Sequence, residues 1–417
     1  VLRIGSNHAT AGMRLASPVY HPDRPATILL RAGAVLTEPM IRRLEDLRIR
    51  TMWIEYPGLE DIASAASAEV TRARAGMTQT LANAFDAARE TSDPELDYRP
   101  FRDAILSLID ALIHNPHAAQ HVNDMNECPH PLLRAGANIA FISILMGLKL
   151  DFYLETQRPR LSPAQARDVS SLGMGALLHD VGALALEPEV LERYLQTGDE
   201  HDPAWRMHVI RGFEMVRGKI DAAASTVVLH HHQRFDGSGY PARKTTTGIH
   251  TPAGADIHIF ARIVAAADLF ESLRSPPGKD PVPAVRVLRK LMQAPYADHL
   301  DPVVRLGLMT VIPPYAPGAV VELSNEVRGV VTRWHPEEPC RPVVREIASL
   351  ESPSDRFEGR VFDLLEHPDL EVVRTEDQDV RADNFYSSET CRFDLGYYAK
   401  TLINRAADDQ SGLRDAG

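Results

Sequence analysis

The sequence predicts a mainly α protein: a central helical bundle, a small α+β module before it and a short β-rich segment after it. Three observations carry that prediction. From about 126 to 310 the apolar residues recur almost wholly at helical spacing. Before about residue 62, short apolar segments alternate with turn residues. After Pro313-Pro314 the chain turns to runs rich in valine, broken by turn-forming pairs.

Along the chain, Val19-Tyr20 and Ile28-Leu29-Leu30 read as strands, Pro39 to Leu47 as a short helix, and Thr51 to Tyr56 as a strand ended by Pro57-Gly58. Residues 63 to 91 lack proline and are rich in Ala, Glu, Arg and Gln, which favours a helix. Phe101 to Ile113 restarts one, with Ile105, Leu108, Ile109 and Leu112 on a common face. Ser162-Pro163 is a helix start, with serine as the cap and proline in the first turn. The helix it opens is expected to run through Leu172 and Leu177 into His179-Asp180 and to end at Gly182. Pro203 to Arg217, Ala222 to His232 and Phe260 to Leu273 are the next helices, with an irregular stretch from Ala242 to Asp256. Ala319 to Leu323 and Val327 to Thr332 flank Ser324-Asn325 as a hairpin would, and Arg341 to Ile347 supplies a third strand. The expected division is therefore 1–62, connecting helices 63–125, a helical domain 126–312, a β-rich segment 313–374 and a polar extension 375–417 whose tail frays after Ala406.

The 417 residues are 44% hydrophobic and 24% charged, enough apolar content for real cores. A net charge of −12 argues against a general binder of DNA or RNA polymers, so a small anionic ligand must be drawn in by local cations. Cys128, Cys340 and Cys391 are odd in number and widely spaced, as reduced cytosolic thiols are. The apolar run Ile139 to Leu150 is too short to span a bilayer and suits a buried core helix. With no basic region ahead of a long apolar stretch at the start, the expected location is cytoplasmic, without a membrane partner.

The most telling stretch is Leu229-His-His-His-Gln-Arg-Phe-Asp-Gly-Ser-Gly-Tyr-Pro241, with the His179-Asp180 pair upstream. Neutral imidazoles and a carboxylate are what a divalent transition metal coordinates. Three consecutive helical positions sweep about 200°, so the three histidines cannot all face one pocket; His230 is expected to be solvated, with His231 and His232 as candidates. His208, on a second helix, and Asp268, a carboxylate in an otherwise apolar helix, are the remaining candidates, since a buried Asp needs a partner. His201, His250 and His258 read as structural or surface residues. No Ser-His-Asp or Cys-His arrangement stands out.

At these residues the chain resembles the HD-GYP branch of the HD-domain phosphohydrolases, over about 126 to 310. The family's HDxGK element corresponds to His179-Asp-Val-Gly-Ala183, and its later metal-binding histidine to His208. Its HHExxDGxGYP signature corresponds to His231-His-Gln-Arg-Phe-Asp-Gly-Ser-Gly-Tyr-Pro241, and its last aspartate to Asp268. The resemblance implies a helical HD-domain bundle and a metal site of His179, Asp180, His208, His231, His232 and Asp268, with His179 and Asp180 at the catalytic step. It implies iron or manganese, one or two ions, and two metals about 3.5–4 Å apart sharing a hydroxide that attacks phosphorus. The implied reaction opens cyclic di-GMP to linear pGpG and/or GMP. The loop residues Arg234, Asp236, Gly237, Gly239, Tyr240, Pro241, Arg243 and Lys244 would contact that substrate. The glycines and proline alternatively just build a tight turn, and Arg243 and Lys244 an exposed basic loop. Diguanylate-cyclase (GGDEF) domains and a homodimer are the further partners implied.

The departures are specific. Ala135, in Ala135-Gly-Ala-Asn-Ile-Ala140, stands where the family's first metal-binding histidine sits, with His130 and Glu127 as the nearby substitutes. Ala183 replaces the HDxGK lysine, Gln233 replaces the signature glutamate, and Ser275-Pro-Pro-Gly-Lys279 follows Asp268 where the family has an Arg-Pro-Tyr-like stretch. The connection after Pro241 is longer than usual. These support an alternative reading, a weakened or inactive member that senses cyclic di-GMP or regulates a partner.

Overall fold

The computed structural model describes residues 1–21, 24–47, 49, 51–56, 59, 67–89, 96–115, 131–246, 248–277, 279–347, 359–388 and 392–396. It is mainly α, with small sheets towards both ends. Strand β1 (Leu2–Gly5), hairpin strands β2 (Val19–His21) and β3 (Arg24–Leu30), helix α1 (Glu38–Asp46) and strand β4 (Thr51–Ile54) come first. β1 was not foreseen, because Leu2 and Ile4 make an alternation only four residues long. Pairing antiparallel with β4 buries both side chains. This module does not keep a core to itself. Leu2, Ile4, Met52 and Ile54 pack with Val330 and Ile347 from the C-terminal sheet. Gly318, at φ +90°, lies under Trp53, whose ring carbons leave no room for a Cβ (2.6 Å).

Helices α2 (Ala68–Arg89) and α3 (Arg99–His114) pack on each other, and α2 also packs against α4 (Pro131–Lys149). The α4 segment Leu132–Lys149 is long and apolar enough to cross a membrane, longer than the run recognised in the sequence. Seventy-two per cent of it is buried inside the protein, so it is a core helix here. α5 (Asp151–Gln157) and α6 (Pro163–Arg167) follow, the latter opened by a Ser162–Gln165 capping box. The expected single helix from Ser162 to Gly182 is two. Asp168 accepts a hydrogen bond from the Ser170 backbone (2.8 Å), so the chain restarts as α7 (Ser170–Leu177). α7 is buried from Leu172 to Leu177 between α4 and α10 (Ala222–His230), with α8 (Pro188–Thr197) and α9 (His208–Val216) intervening in sequence.

The stretch from Ala242 is less irregular than expected, since Arg243–Thr245 (β5) and Gly248–His250 (β6) pair as a hairpin. Helix α11 (Ile259–Arg274) is apolar nearly all round, and most of it is buried. The helices α12 (Ala284–Leu291), α13 (Tyr296–His299) and α14 (Pro302–Val311) follow, and a buried ion pair ties α11 to the start of α14. Arg262 donates to Asp301 at 2.6 Å, while Asp301 also caps α14 and accepts from the Tyr153 hydroxyl. The C-terminal strands β7 (Val320–Leu323), β8 (Arg328–Arg333), β9 (Val343–Glu346), β10 (Val361–Asp363), β11 (Val372–Thr375) and β12 (Gln378–Asp379) form one antiparallel sheet in the order β10-β9-β8-β7-β11-β12. Strand β12 and the buried Val380 and Phe385 lie within the stretch expected as a polar extension from 375. Charged flanks hid these apolar positions. The tail after Ala406 lies outside the described residues.

Candidate metal centre

Five of the six candidate ligands sit where a helix begins or ends. α7 stops at Leu177, so His179 and Asp180 lie in the turn before the short helical turn Val181–Ala185. α9 opens at His208. α10 ends at His230, and His231 and His232 lie just past it. Both turn inward; His231, as the C-cap, keeps helical backbone angles and donates its N–H to the Val227 carbonyl (2.9 Å), so the expected helix ends one to two residues early. His230 is also not the solvated residue expected. It is 4% exposed, and the Arg243 guanidinium donates to its Nε2 at 2.7 Å. Asp268 alone comes from mid-helix, on α11.

Glycine sets the approach of these pieces. A Cβ on Gly182 would lie 1.9 Å from the His208 carbonyl oxygen and 2.3 Å from the Gly212 nitrogen. Only glycine lets the His179-Asp180 turn press against the start of α9.

Three histidines are aimed by the same device. Nδ1–H of His179 donates to the Ala176 carbonyl (2.8 Å), that of His208 to Trp205 (2.7 Å) and that of His231 to Val228 (3.0 Å). A carbonyl can only accept, so each ring carries a proton on Nδ1 and aims Nε2 at the centre. His208 Nε2 and His231 Nε2 face each other at 3.3 Å, and Asp180 Oδ1 lies 3.3 and 3.5 Å from them. Asp180 Oδ2 is 3.3 Å from His179 Nε2. That contact lacks hydrogen-bond alignment, leaving His179 Nε2 and Asp180 Oδ1 buried without hydrogen-bond partners. Ligand atoms of Asp180, His208, His231 and His232 all lie within 4.8 Å of one another. Converging lone pairs with no proton to share fit a divalent cation.

The electrostatics agree. Burial pushes His208 down to about 4 and also lowers His231 and His232, so all three are neutral at physiological pH, as metal ligands must be. His179 differs: burial would lower it too, but the adjoining Asp180 carboxylate prevails and holds it up to about 9, so without a metal this ring also carries an Nε2 proton, which a bound cation would displace. Burial opposes the Asp180 charge too, yet the surrounding imidazoles, His179 foremost, keep that carboxyl well below its ordinary range.

The other side of the centre is looser. Asp268 Oδ2 lies 3.6 Å from His232 Nδ1, and burial drives this carboxyl well above the ordinary range. Ala135, on α4, offers only a methyl group. The substitutes weighed for it, His130 and Glu127, lie outside the described residues. One turn along α4, Asn138 donates to Glu271 of α11 (3.1 Å) and accepts from Arg74 of α2 (2.5 Å), bracing the helix that carries Asp268.

The glycine loop folds back on these ligands. Asp236 accepts from the Ser238 backbone and hydroxyl (2.9 and 2.7 Å), Gly237 adopts φ +82°, and Gln233 donates to the Pro241 carbonyl at 2.7 Å. A Cβ at Gly239 would come 2.4 Å from the His232 carbonyl oxygen. The Tyr240 ring stacks on His232 at 4.7 Å with Arg206 over its other face, and its hydroxyl is buried without a partner. A pocket beside the ligands is lined by Glu200, His231, His232, Arg234, Tyr240 and Asp268, together with Leu269, His299 and Leu300. Arg234 therefore reaches the site. Arg243 is instead engaged with His230, and the Lys244 side chain lies outside those described. Glu200 and His299 were missed, since neither belongs to a spacing pattern. Ala183, in the lysine position, is 1% exposed.

The family described as HD domain matches residues 156–304. The cyclic di-GMP phosphodiesterase PA4108 of Pseudomonas aeruginosa is 25% identical over 341 residues, 77% of this chain and 79% of that protein. The cyclic di-GMP phosphodiesterase response regulator RpfG of Xanthomonas campestris is 33% identical over 26% of this chain and 27% of its own. A 3′3′-cGAMP-specific phosphodiesterase of Vibrio cholerae is 31% identical over 30% of this chain and 23% of its own. Among solved structures, Bd1817, an HDG"Y"P protein from Bdellovibrio bacteriovorus, has a TM-score of 0.43 at 19% identity, covering 74% of this chain and 97% of that one. The HD domain match and the signature from His231 to Pro241 in register support the HD-GYP family as the one this chain resembles.

Proposed function

We propose that this chain is a metal-dependent phosphodiesterase that opens cyclic di-GMP to linear pGpG and/or GMP. The observation that carries the reading is the convergence of Asp180, His208, His231 and His232 on one point with oriented, unprotonated Nε2 atoms. Its substrate class comes from the relatives named for cyclic di-GMP hydrolysis. His179, Asp180, His208, His231, His232 and Asp268 would hold iron or manganese, one ion or two. Such an ion supplies Lewis acidity and lowers the pKa of water to near neutrality. The chain's own groups do the rest. Asp180 links both sides through its two oxygens, Arg234 meets phosphate charge from the pocket wall, and Tyr240 pins His232 by stacking. Asp236, Gly237, Gly239 and Pro241 hold the loop that positions Arg234 and Tyr240. We extend the reading to a cytoplasmic protein with diguanylate-cyclase (GGDEF) domains as candidate partners.

A second reading, a binding protein with little turnover, is favoured by two positions alone: Ala135 withholds an imidazole and Ala183 withholds a cation. Turnover of cyclic di-GMP by the full chain loaded with Mn²⁺ or Fe²⁺ decides between them. Product formation that disappears in Asp180→Ala supports the enzyme; tight nucleotide binding with no product in the wild type supports the sensor.

A further inference from the structure

The pocket beside the metal centre contains a carboxylate that none of the family motifs accounts for. Glu200 lies in the loop between α8 and α9, and its side chain lines the pocket with Arg234, Tyr240 and Asp268. Its backbone carbonyl is used, accepting from Arg206 Nε (2.9 Å), but its carboxylate makes no hydrogen bond or ion pair among the described residues. Burial raises its pKa, as does Asp180, while Arg234, His201 and Arg206 oppose them. A carboxylate so placed lacks hydrogen-bond donors.

It is not placed as a metal ligand. Asp180 and Asp268 each approach a site histidine within 3.6 Å, and no such contact involves Glu200, which stands outside the four-residue cluster. Nor does it suit phosphate, whose charge it would repel. What remains is a part of the substrate that presents donors. Guanine presents two side by side, N1–H and N2–H₂, spaced for a carboxylate. Adenine presents a lone pair at N1 beside its single amino group. Across the pocket Ala265, Leu269 and Leu300 provide an apolar wall for the flat face of a base.

We propose that Glu200 is a specificity-determining residue, its carboxylate accepting hydrogen bonds from the N1–H and N2–H₂ groups of a guanine held beside the metal centre. This rests on the cyclic di-GMP reading and deepens it.

The test uses the full chain loaded with Mn²⁺, with calorimetric affinities for non-hydrolysable phosphorothioate analogues of cyclic di-GMP and cyclic di-AMP. The wild type should prefer the guanine ligand by roughly 10- to 100-fold. Glu200→Gln should erase most of that preference by weakening the guanine ligand alone, with manganese content unchanged. Glu200→Asp, which keeps the charge, should retain part of it and covers any disturbance of the loop by glutamine. Equal weakening of both ligands would assign Glu200 to the ribose hydroxyl and overturn the proposal. Loss of manganese, or no change in either affinity, would overturn it too. A wild type with the guanine preference but no turnover would leave Glu200 standing and sink the phosphodiesterase reading; binding of neither ligand would sink both.

Discussion

The two sides of the metal centre are built to different standards. On one, His208 and His231 each have an Nδ1–H fixed by a backbone carbonyl three residues earlier, and their Nε2 atoms close on Asp180 within 3.5 Å. On the other, Asp268 reaches only His232, at 3.6 Å, and Ala135, which the family resemblance aligns with a metal-binding histidine, offers only a methyl group. The first side is enforced by backbone geometry, which a single substitution rarely undoes. The second rests on a single longer contact. Under the proposed function, metal should therefore be held more firmly on the first side than on the second.

The comparison breaks hardest at Asp180, the residue both sides share. Asp180→Ala should remove metal from each and lower turnover by more than about 100-fold, beyond the loss typical of an outer-shell partner. Retained metal with retained turnover would mean that the sides are independent. Gly182→Ala attacks the first side through packing. Its methyl collides with the His208 carbonyl, and unfolding free energy should fall by about 1–3 kcal/mol, with weaker metal binding, in denaturant and metal titrations. Ala135→His should sharpen the second side, raising metal content by about one ion per chain without changing the first. No gain would mean that position 135 does not face the centre.

The helix carrying Asp268 has its own sensitivity to pH. His258 caps α11, its Nδ1 accepting from the Phe260 backbone (3.2 Å), and burial, aided by Arg158 and Arg262, lowers its pKa to about 4. The unfolded chain binds that proton first, near pH 6.5, so the stability from the neutral cap is present above pH 6.5 and is lost as pH falls towards 4. The loss is on the order of 1–3 kcal/mol, and His258→Gln should flatten that part of the stability profile. The smallest effect is expected at Arg243, engaged with His230 away from the pocket. Arg243→Ala should change KM by less than about twofold, whereas Arg234→Ala should raise it clearly.

The sequence pointed to the candidate ligands better than to the way they are presented. His179, Asp180, His208, His231, His232 and Asp268 were legible because a long signature fixes their register. Their helix ends were not, since Asp168 restarts a helix through a side-chain hydrogen bond that periodicity does not register. His230 was misread because its burial depends on Arg243, brought in by a hairpin that composition disguised as irregular loop. Glu200 was invisible for a different reason: a pocket wall assembled from a loop, a helix turn and α11 leaves no spacing in the chain. The C-terminal strands β11 and β12 were missed because they are short, and their pairing with β7 is long-range.

Locating a bound ion settles the matter most directly, by soaking crystals of the full chain in Mn²⁺ and recording its anomalous signal. A peak within coordination distance of Asp180, His208 and His231 is the result expected. An ion seated elsewhere, or none at saturating metal, would contradict the idea that these helix ends were brought together to grip a cation.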